Sequence, residues 1–252
     1  MDNIRIIPRL DIKGPNVVKG IFNEGLRIVG SPQELATRYY KAGADEIIYM
    51  DIVASLYQRN LDFELLKSVA NHIFIPLTVG GGIRSIGDIN NALRAGADKV
   101  AINTYAVKNP NFIKEAAQKF GSQCIVLSVE AKQKSVDLWE AYIDGGREKT
   151  GIDAVAWIKR AIKLGVGEVM VSSIDKDGLR GGFATELCQA VTAFASVPVI
   201  VHGGAGKLES VAEVLKLANP DAVAIASAFH YQDYSIKKLK NFLRSKEFPI
   251  RQ

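Results

Sequence analysis

The chain has 252 residues, 48% hydrophobic and 23% charged, with a net charge of +5. A chain of this size buries roughly three quarters of its extended surface, so no disulfide or metal staple is required, and the ordinary balance of polar and apolar residues excludes disorder. No apolar run approaches the ~18 residues of a membrane span, and Met1-Asp2-Asn3-Ile4-Arg5 lacks the zones of a signal peptide.

Only Cys124 and Cys188 are present, each inside an apolar segment, so both read as reduced core thiols in the cytoplasm. The positive charge is scattered, apart from Ile236-Lys237-Lys238-Leu239-Lys240, which argues against a nucleic-acid partner. Three dispersed histidines argue against a metal centre, and no cofactor motif is evident.

Taken in order, Ile4 to Ile12 reads as a strand ending at Asp11. Residues 14–30, with Lys13, Lys19 and Arg27, read as a long polar loop punctuated by glycine, a kind often used for function. Ser31-Pro32-Gln33-Glu34 has the form of a helix start, and the helix closes at Gly43. A strand over Glu46 to Val53 and a helix over Leu61 to Asn71 follow. The apolar run Ile73 to Val79 then meets Gly80-Gly81-Gly82 and a helix opening at Ser85. A strand over Asp98 to Asn103 and a helix over Pro110 to Phe120 complete the first half.

The second half opens with a strand over Gln123 to Glu130, ending in a carboxylate where the first strand ended in Asp11. Lys134 to Asp144 alternates and predicts a small inserted hairpin. A helix over Ile152 to Leu164 and a strand over Glu168 to Ile174 lead to Asp175-Lys176-Asp177-Gly178. After a helix over Ala184 to Ala195, Val197-Pro198-Val199-Ile200-Val201 runs into His202-Gly203-Gly204, about 122 positions beyond Gly80-Gly81-Gly82. A helix over Lys207 to Ala218, a strand over Asp221 to Ala226 and a helix over Ser235 to Lys246 close the chain.

Eight apolar strands alternating with amphipathic helices imply a parallel sheet, and about 250 residues is the size of a closed (β/α)₈ TIM barrel. A doubly wound open sheet is the alternative. Ala97-Asp98-Lys99-Val100-Ala101-Ile102 resembles Pro220-Asp221-Ala222-Val223-Ala224-Ile225, so we read one α/β domain over 1–252 made of two half-barrels, about 1–120 and 121–252. Barrel sites lie at the C-terminal strand ends, so Asp11 and Glu130 should meet over one mouth. A glycine turn followed by Asn103-Thr104 in one half, and by Ala226-Ser227 in the other, suits an anion at each edge. Each glycine stretch alone is equally a tight turn; the matched pair favours a substrate with two phosphates. Asp51 and Asp177 also stand at strand exits, Asp177 in what can be a plain turn, and His72 and His230 read as structural.

Arg5-Ile6-Ile7-Pro8-Arg9-Leu10-Asp11, Phe74 to Arg84, Ala95 to Val100 and Gly121 to Val126 resemble the cyclase subunit of imidazole glycerol phosphate synthase, the HisF family, essentially end to end. The resemblance implies a lyase of histidine biosynthesis. Ammonia from a HisH-like glutaminase, docked at the N-terminal barrel face, would cross the barrel. It would convert a bis-phosphorylated ribulosyl-formimino aminoimidazole carboxamide ribonucleotide to imidazole glycerol phosphate and aminoimidazole carboxamide ribonucleotide. It assigns acid–base catalysis to Asp11 and Glu130. Phosphate contacts go to Gly82, Asn103 and Thr104 at one end, and to Asp177, Gly178, Gly204, Ala226 and Ser227 at the other. Lys19 belongs to the loop that closes on substrate, and Arg5, Glu46, Lys99 and Glu168 form the ammonia entrance.

The chain departs from the family's usual residues at Arg9 for Cys, Glu130 for Asp, Leu179 for Thr and His202 for Ser. These departures motivate an alternative: a related subunit that channels ammonia from a glutaminase to the amidation of a surface-polysaccharide sugar. A phosphosugar isomerase on the same half-barrel plan is a third possibility.

Overall fold

A computed structural model describes residues 4–22 and 24–251. In chain order the strands are β1 (Arg5–Lys13), β2 (Asn16–Ile21), β3 (Glu24–Gly30), β4 (Ile47–Asp51), β5 (Leu77–Gly80), β6 (Lys99–Ile102), β7 (Ile125–Ser135), β8 (Leu138–Ile143), β9 (Glu148–Asp153), β10 (Glu168–Ser173), β11 (Val199–His202) and β12 (Ala222–Ile225). The helices are α1 (Pro32–Lys41), α2 (Phe63–Ala70), α3 (Ile86–Arg94), α4 (Thr104–Lys108), α5 (Asn111–Phe120), α6 (Ala154–Leu164), α7 (Thr185–Thr192), α8 (Leu208–Ala218), α9 (Ser227–His230) and α10 (Ile236–Ser245). Eight strands run parallel in the order β1-β4-β5-β6-β7-β10-β11-β12, and β12 pairs back to β1. The ring is therefore closed, and the expected (β/α)₈ barrel is what forms.

Local chemistry starts the helices where the sequence predicts. Ser31, Asp62, Ser85 and Asp153 each cap a helix, accepting from the backbone N–H three residues on. Alternation along the strands makes two cores. One face packs under the helices, with Ile6, Leu10, Ile47, Tyr49 and Val79 fully buried. The other fills the barrel itself with Ile7, Ile48, Ala101, Val126, Met170, Ile200 and Ala224. Matched bonds recur in the two halves: Leu77 N donates to Asp98 Oδ2 (2.8 Å) in the first, and Val199 N donates to Asp221 Oδ2 (2.7 Å) in the second.

Four details differ from the sequence reading. In place of an irregular loop over 14–30, β2 and β3 pair as a hairpin, with β2 antiparallel to the end of β1; buried Val17 and Val18 anchor it. The insertion after Glu130 is a three-stranded meander, because β7 runs on to Ser135 and pairs with β8, and β8 pairs with β9. Strand β5 begins only at Leu77, and Phe74 lies exposed before it. The short helices α4 and α9 were not expected; five and four residues are too few to show an apolar period.

Candidate functional site

The C-terminal mouth is built around β1. Period-two alternation points Arg5, Ile7, Arg9 and Asp11 into the barrel, one above another. Asp11 is buried at the upper end, and Glu130 on β7 is buried opposite it. Arg9, only 2% exposed, lies between them. Its Nε donates to Asp11 Oδ1 (2.8 Å), its Nη1 donates to Ser172 Oγ (3.1 Å) and His202 Nδ1 (3.2 Å), and its Nη2 stands 3.6 Å from Glu130 Oε1. The two predicted carboxylates do share one mouth, with a guanidinium bridging them. Of the four departures from the usual family residues, Arg9 thus meets two others, Glu130 and His202.

Lys19 enters from above on β2. Its Nζ donates to Asp11 Oδ2 (3.1 Å) and to Asp177 Oδ1 and Oδ2 (2.8 and 3.0 Å), and it is buried to the same degree as Arg9. The hairpin is held down by Phe22 N donating to Asp177 O (3.1 Å). Gly178 is needed there: a Cβ would stand 2.4 Å from Gly20 O, and its φ of +76° is left-handed.

These contacts separate the two carboxylates electrically. Burial opposes ionisation of Asp11, but Arg9 and Lys19 outweigh it and hold the carboxyl below the usual range. Burial pushes Glu130 up; Arg9 offsets this in part, while Asp177 and Asp11 add to it. Burial, then Arg9 and Lys19, keep His202 neutral well below the usual imidazole range, so Nδ1 accepts from Arg9. Buried Lys19 nonetheless holds its proton more tightly than usual, because Asp11 and Asp177 overcome the desolvation.

The two edges of the mouth are unequal. On the first, a cavity of about 390 Å³ is lined by Arg9, Gly82, Asn103, Thr104, Ser128 and Glu130. Asn103 Nδ2 donates to Tyr142 O (3.1 Å), and Asp144 N donates to Thr104 Oγ1 (3.0 Å), so the meander forms one wall. On the second, Asp177, Gly178, Gly204, Ala226 and Ser227 come together around a gap of only about 10 Å³, room for about one water. Gly182 N donates to Gly204 O (2.9 Å) across it, and a Cβ on Gly204 would stand 2.0 Å from Gly182 O. A cleft of about 420 Å³ opens beside it, between the hairpin and Arg180, Ser227 and Tyr231.

At the other end of the barrel, Arg5, Glu46, Lys99 and Glu168 close into a ring. Arg5 pairs with Glu46 (2.9 Å) and Glu168 (2.6 Å), and Lys99 pairs with the same two carboxylates (2.7 and 2.6 Å). Thr78 Oγ1 also donates to Glu46 Oε1 (2.6 Å). Burial opposes the charge on Arg5, but Glu168 and Glu46 outweigh that cost and make it hold its proton more tightly than usual.

Arg9, Ser172 and His202 had not been assigned to the site. The inward phase of Arg5, Ile7, Arg9 and Asp11 was the available signal; Ser172 and His202 needed the ring order that sets β10 and β11 beside β7 and β12. Asp51 takes a supporting part. It accepts from Val53 N and Ala54 N and pairs with Arg59 (2.7 Å), fixing the loop after β4. His72 is exposed, and His230 is buried with Nδ1 2.7 Å from Tyr39 Oη, both outside the mouth. Cys188 is buried and Cys124 half-buried, and both are free thiols. Among the described residues no helix is long and apolar enough to cross a membrane.

Fold and site together define a (β/α)₈ barrel enzyme with two carboxylates and two basic side chains buried together at its C-terminal mouth. The chain belongs to the histidine biosynthesis protein family, whose pattern it matches over residues 5–235. It is 56% identical over 209 residues to the "Imidazole glycerol phosphate synthase subunit HisF" of Legionella pneumophila, covering 83% of this chain and 99% of that protein. Proteins of the same name are similar in Endomicrobium trichonymphae, at 46% identity over 252 residues (100% and 96% covered), and in Streptococcus mutans serotype c, at 44% over 247 residues (98% of each).

Proposed function

We propose that this chain is the cyclase subunit of imidazole glycerol phosphate synthase, acting in histidine biosynthesis in the cytoplasm. The observation that carries the reading is the meeting of Asp11 and Glu130 at one mouth, in environments that push their proton affinities apart. Ammonia addition to a ketose carbonyl needs an acid for the oxygen. Ring closure and C–N cleavage need a base for nitrogen and a proton for the departing amine. Glu130, which holds its proton longer, is the acid; ionised Asp11 is the base. Asn103, Thr104 and the turn at Gly82 receive one phosphate in the open cavity. The second phosphate goes to Gly178, Gly204, Ala226 and Ser227, once Lys19 trades its pairing with Asp177 for the anion and the narrow gap opens.

A HisH-like glutaminase docks at the N-terminal face, where the closed ring of Arg5, Glu46, Lys99 and Glu168 filters the neutral molecule from ammonium. The apolar barrel interior leads from there to Arg9. The paired Asp98 and Asp221 bonds support the division into half-barrels near residue 120. One observation favours the second reading, ammonia supply to the amidation of a polysaccharide sugar: Arg9 occupies the space between the two carboxylates.

The deciding experiment supplies ammonium at alkaline pH to the isolated chain with the ribulosyl substrate. The expected result is release of imidazole glycerol phosphate and aminoimidazole carboxamide ribonucleotide, with Asp11→Asn slower by about 10²-fold or more. Tight binding of substrate without turnover would reject the cyclase and leave the ammonia-supplying subunit.

A further inference from the structure

Counting charge around Arg9 exposes an imbalance. Two cations, Arg9 and Lys19, face three carboxylates, Asp11, Asp177 and Glu130. The short contacts use up both cations on two of them: Arg9 on Asp11 at 2.8 Å, and Lys19 on Asp177 at 2.8 Å and Asp11 at 3.1 Å. Among the described residues Glu130 is left with a single ion-pair contact, 3.6 Å from Nη2. The guanidinium cannot swing toward Glu130, because Nη1 is anchored to Ser172 Oγ and His202 Nδ1 on β10 and β11. A planar fork fixed on three strands sets a tight bond on one side and a loose one on the other.

We propose that Arg9 is a positioning residue: its guanidinium, laid across the barrel and pinned by Ser172 and His202, decides that Asp11 works as the anion and Glu130 as the proton carrier. Its kinetic consequence rests on the cyclase reading, but the placement of charge does not. The groups facing the pair are Arg9 on β1, Lys19 on β2, Asp177 behind β10 and His202 on β11, with His230 on α9 in electrostatic reach of Asp11, and Asp51, Lys108, Asp144 and Glu148 farther along the cavity wall. Of these, Arg9 alone makes ion-pair contact with both carboxylates.

The test is Arg9→Met, which keeps the unbranched apolar stem of the side chain and removes the charged fork. A cation within ~4–6 Å lowers a carboxyl by about 1–3 units, so losing it raises both groups. The carboxyl carbons of Asp11 and Glu130, labelled with carbon-13 and assigned by their loss in Asp11→Asn and Glu130→Gln, are titrated by NMR. In the wild type Glu130 is expected to titrate at higher pH than Asp11; in Arg9→Met both midpoints should rise, that of Asp11 by about one unit or more and that of Glu130 by less, so that the gap between them narrows. In the ammonium-driven reaction both limbs of the kcat/KM profile should move to higher pH, the acid limb further than the alkaline one, with kcat falling more than KM rises.

Arg9→Lys keeps a buried cation without the fork, and carries the test if Arg9→Met does not fold. It should raise the Glu130 midpoint and the alkaline limb alone. Midpoints unmoved in a folded Arg9 variant, or a gap that stays as wide in Arg9→Met, overturn the proposal, whatever the activity. Shifted midpoints in a protein that turns over no ribulosyl substrate leave Arg9 in its role and reject the cyclase instead.

Discussion

Removing one carboxylate from the charged ring tests both its closure and its purpose. Glu168 is buried, accepts from Arg5 and Lys99 at 2.6 Å each, and has no replacement within the ring. Glu168→Gln leaves two cations sharing Glu46, a net excess of one positive charge in a low-dielectric end of the barrel. Breaking a buried pair from one side costs about 3–5 kcal/mol. The Arg5 and Lys99 side chains keep 16% and 15% exposure, which places the loss near ~3 kcal/mol. At about 2–4 °C per kcal/mol for a chain of this length, the melting temperature should fall by roughly 6–12 °C.

The decisive comparison is the double variant Glu168→Gln with Lys99→Met. It leaves the Arg5–Glu46 pair at 2.9 Å and restores the charge balance. A closed network therefore predicts a double variant more stable than the sum of its parts by about 1–3 kcal/mol. Differential scanning calorimetry of the four proteins reads this directly, and strictly additive losses would refute a coupled ring. With a glutaminase supplied, the same single variant should lose glutamine-driven turnover while ammonium-driven turnover survives.

Two further substitutions probe the mouth. Lys19→Met removes the cation at 3.1 Å from Asp11 and 2.8 Å from Asp177; KM for the bis-phosphorylated substrate should rise by about tenfold or more, and the β2–β3 hairpin should become sensitive to protease, both read on the same preparation. A hairpin that stays protected with KM unchanged would free Lys19 from both roles. Glu130→Gln tests the raised proton affinity through stability. A carboxyl whose folded value is raised holds its stabilising proton below the unfolded value of about 4.3, and that contribution is lost as pH rises through the folded value. The variant should therefore melt above the wild type at neutral pH, with the gap closing toward about pH 4; a gap that widens in acid has the wrong sign for this account.

Much of the site was legible before any coordinates. Asp11 and Glu130 at matched strand ends, the glycine turns at Gly82 and Gly204, and Asn103-Thr104 opposite Ala226-Ser227 all fall where the repeat put them. The four ring residues close as the resemblance implied. The hairpin over residues 14–30 was obscured because Gly14, Gly20, Gly25 and Gly30 interrupt its alternation, and a strand pattern is read from uninterrupted alternation. Strand β5 was drawn too early because Ile73 to Ile75 are apolar, yet Phe74 faces solvent.

Sequence alone determined the barrel, because alternating apolar strands and amphipathic helices of this number have few ways to bury their faces, and the 122-residue repeat aligned the two halves. Tertiary structure decided what the carboxylates face. Arg9 is one of three basic residues on β1, with nothing local to mark it, until closure of the ring brings β7, β10 and β11 around its tip. Electrostatic partners 119 to 193 positions away are set by the circumference of the barrel, and no local pattern encodes that. The same closure made the two edges unequal: chain spacing matched them, but Lys19 and the hairpin lie over only one.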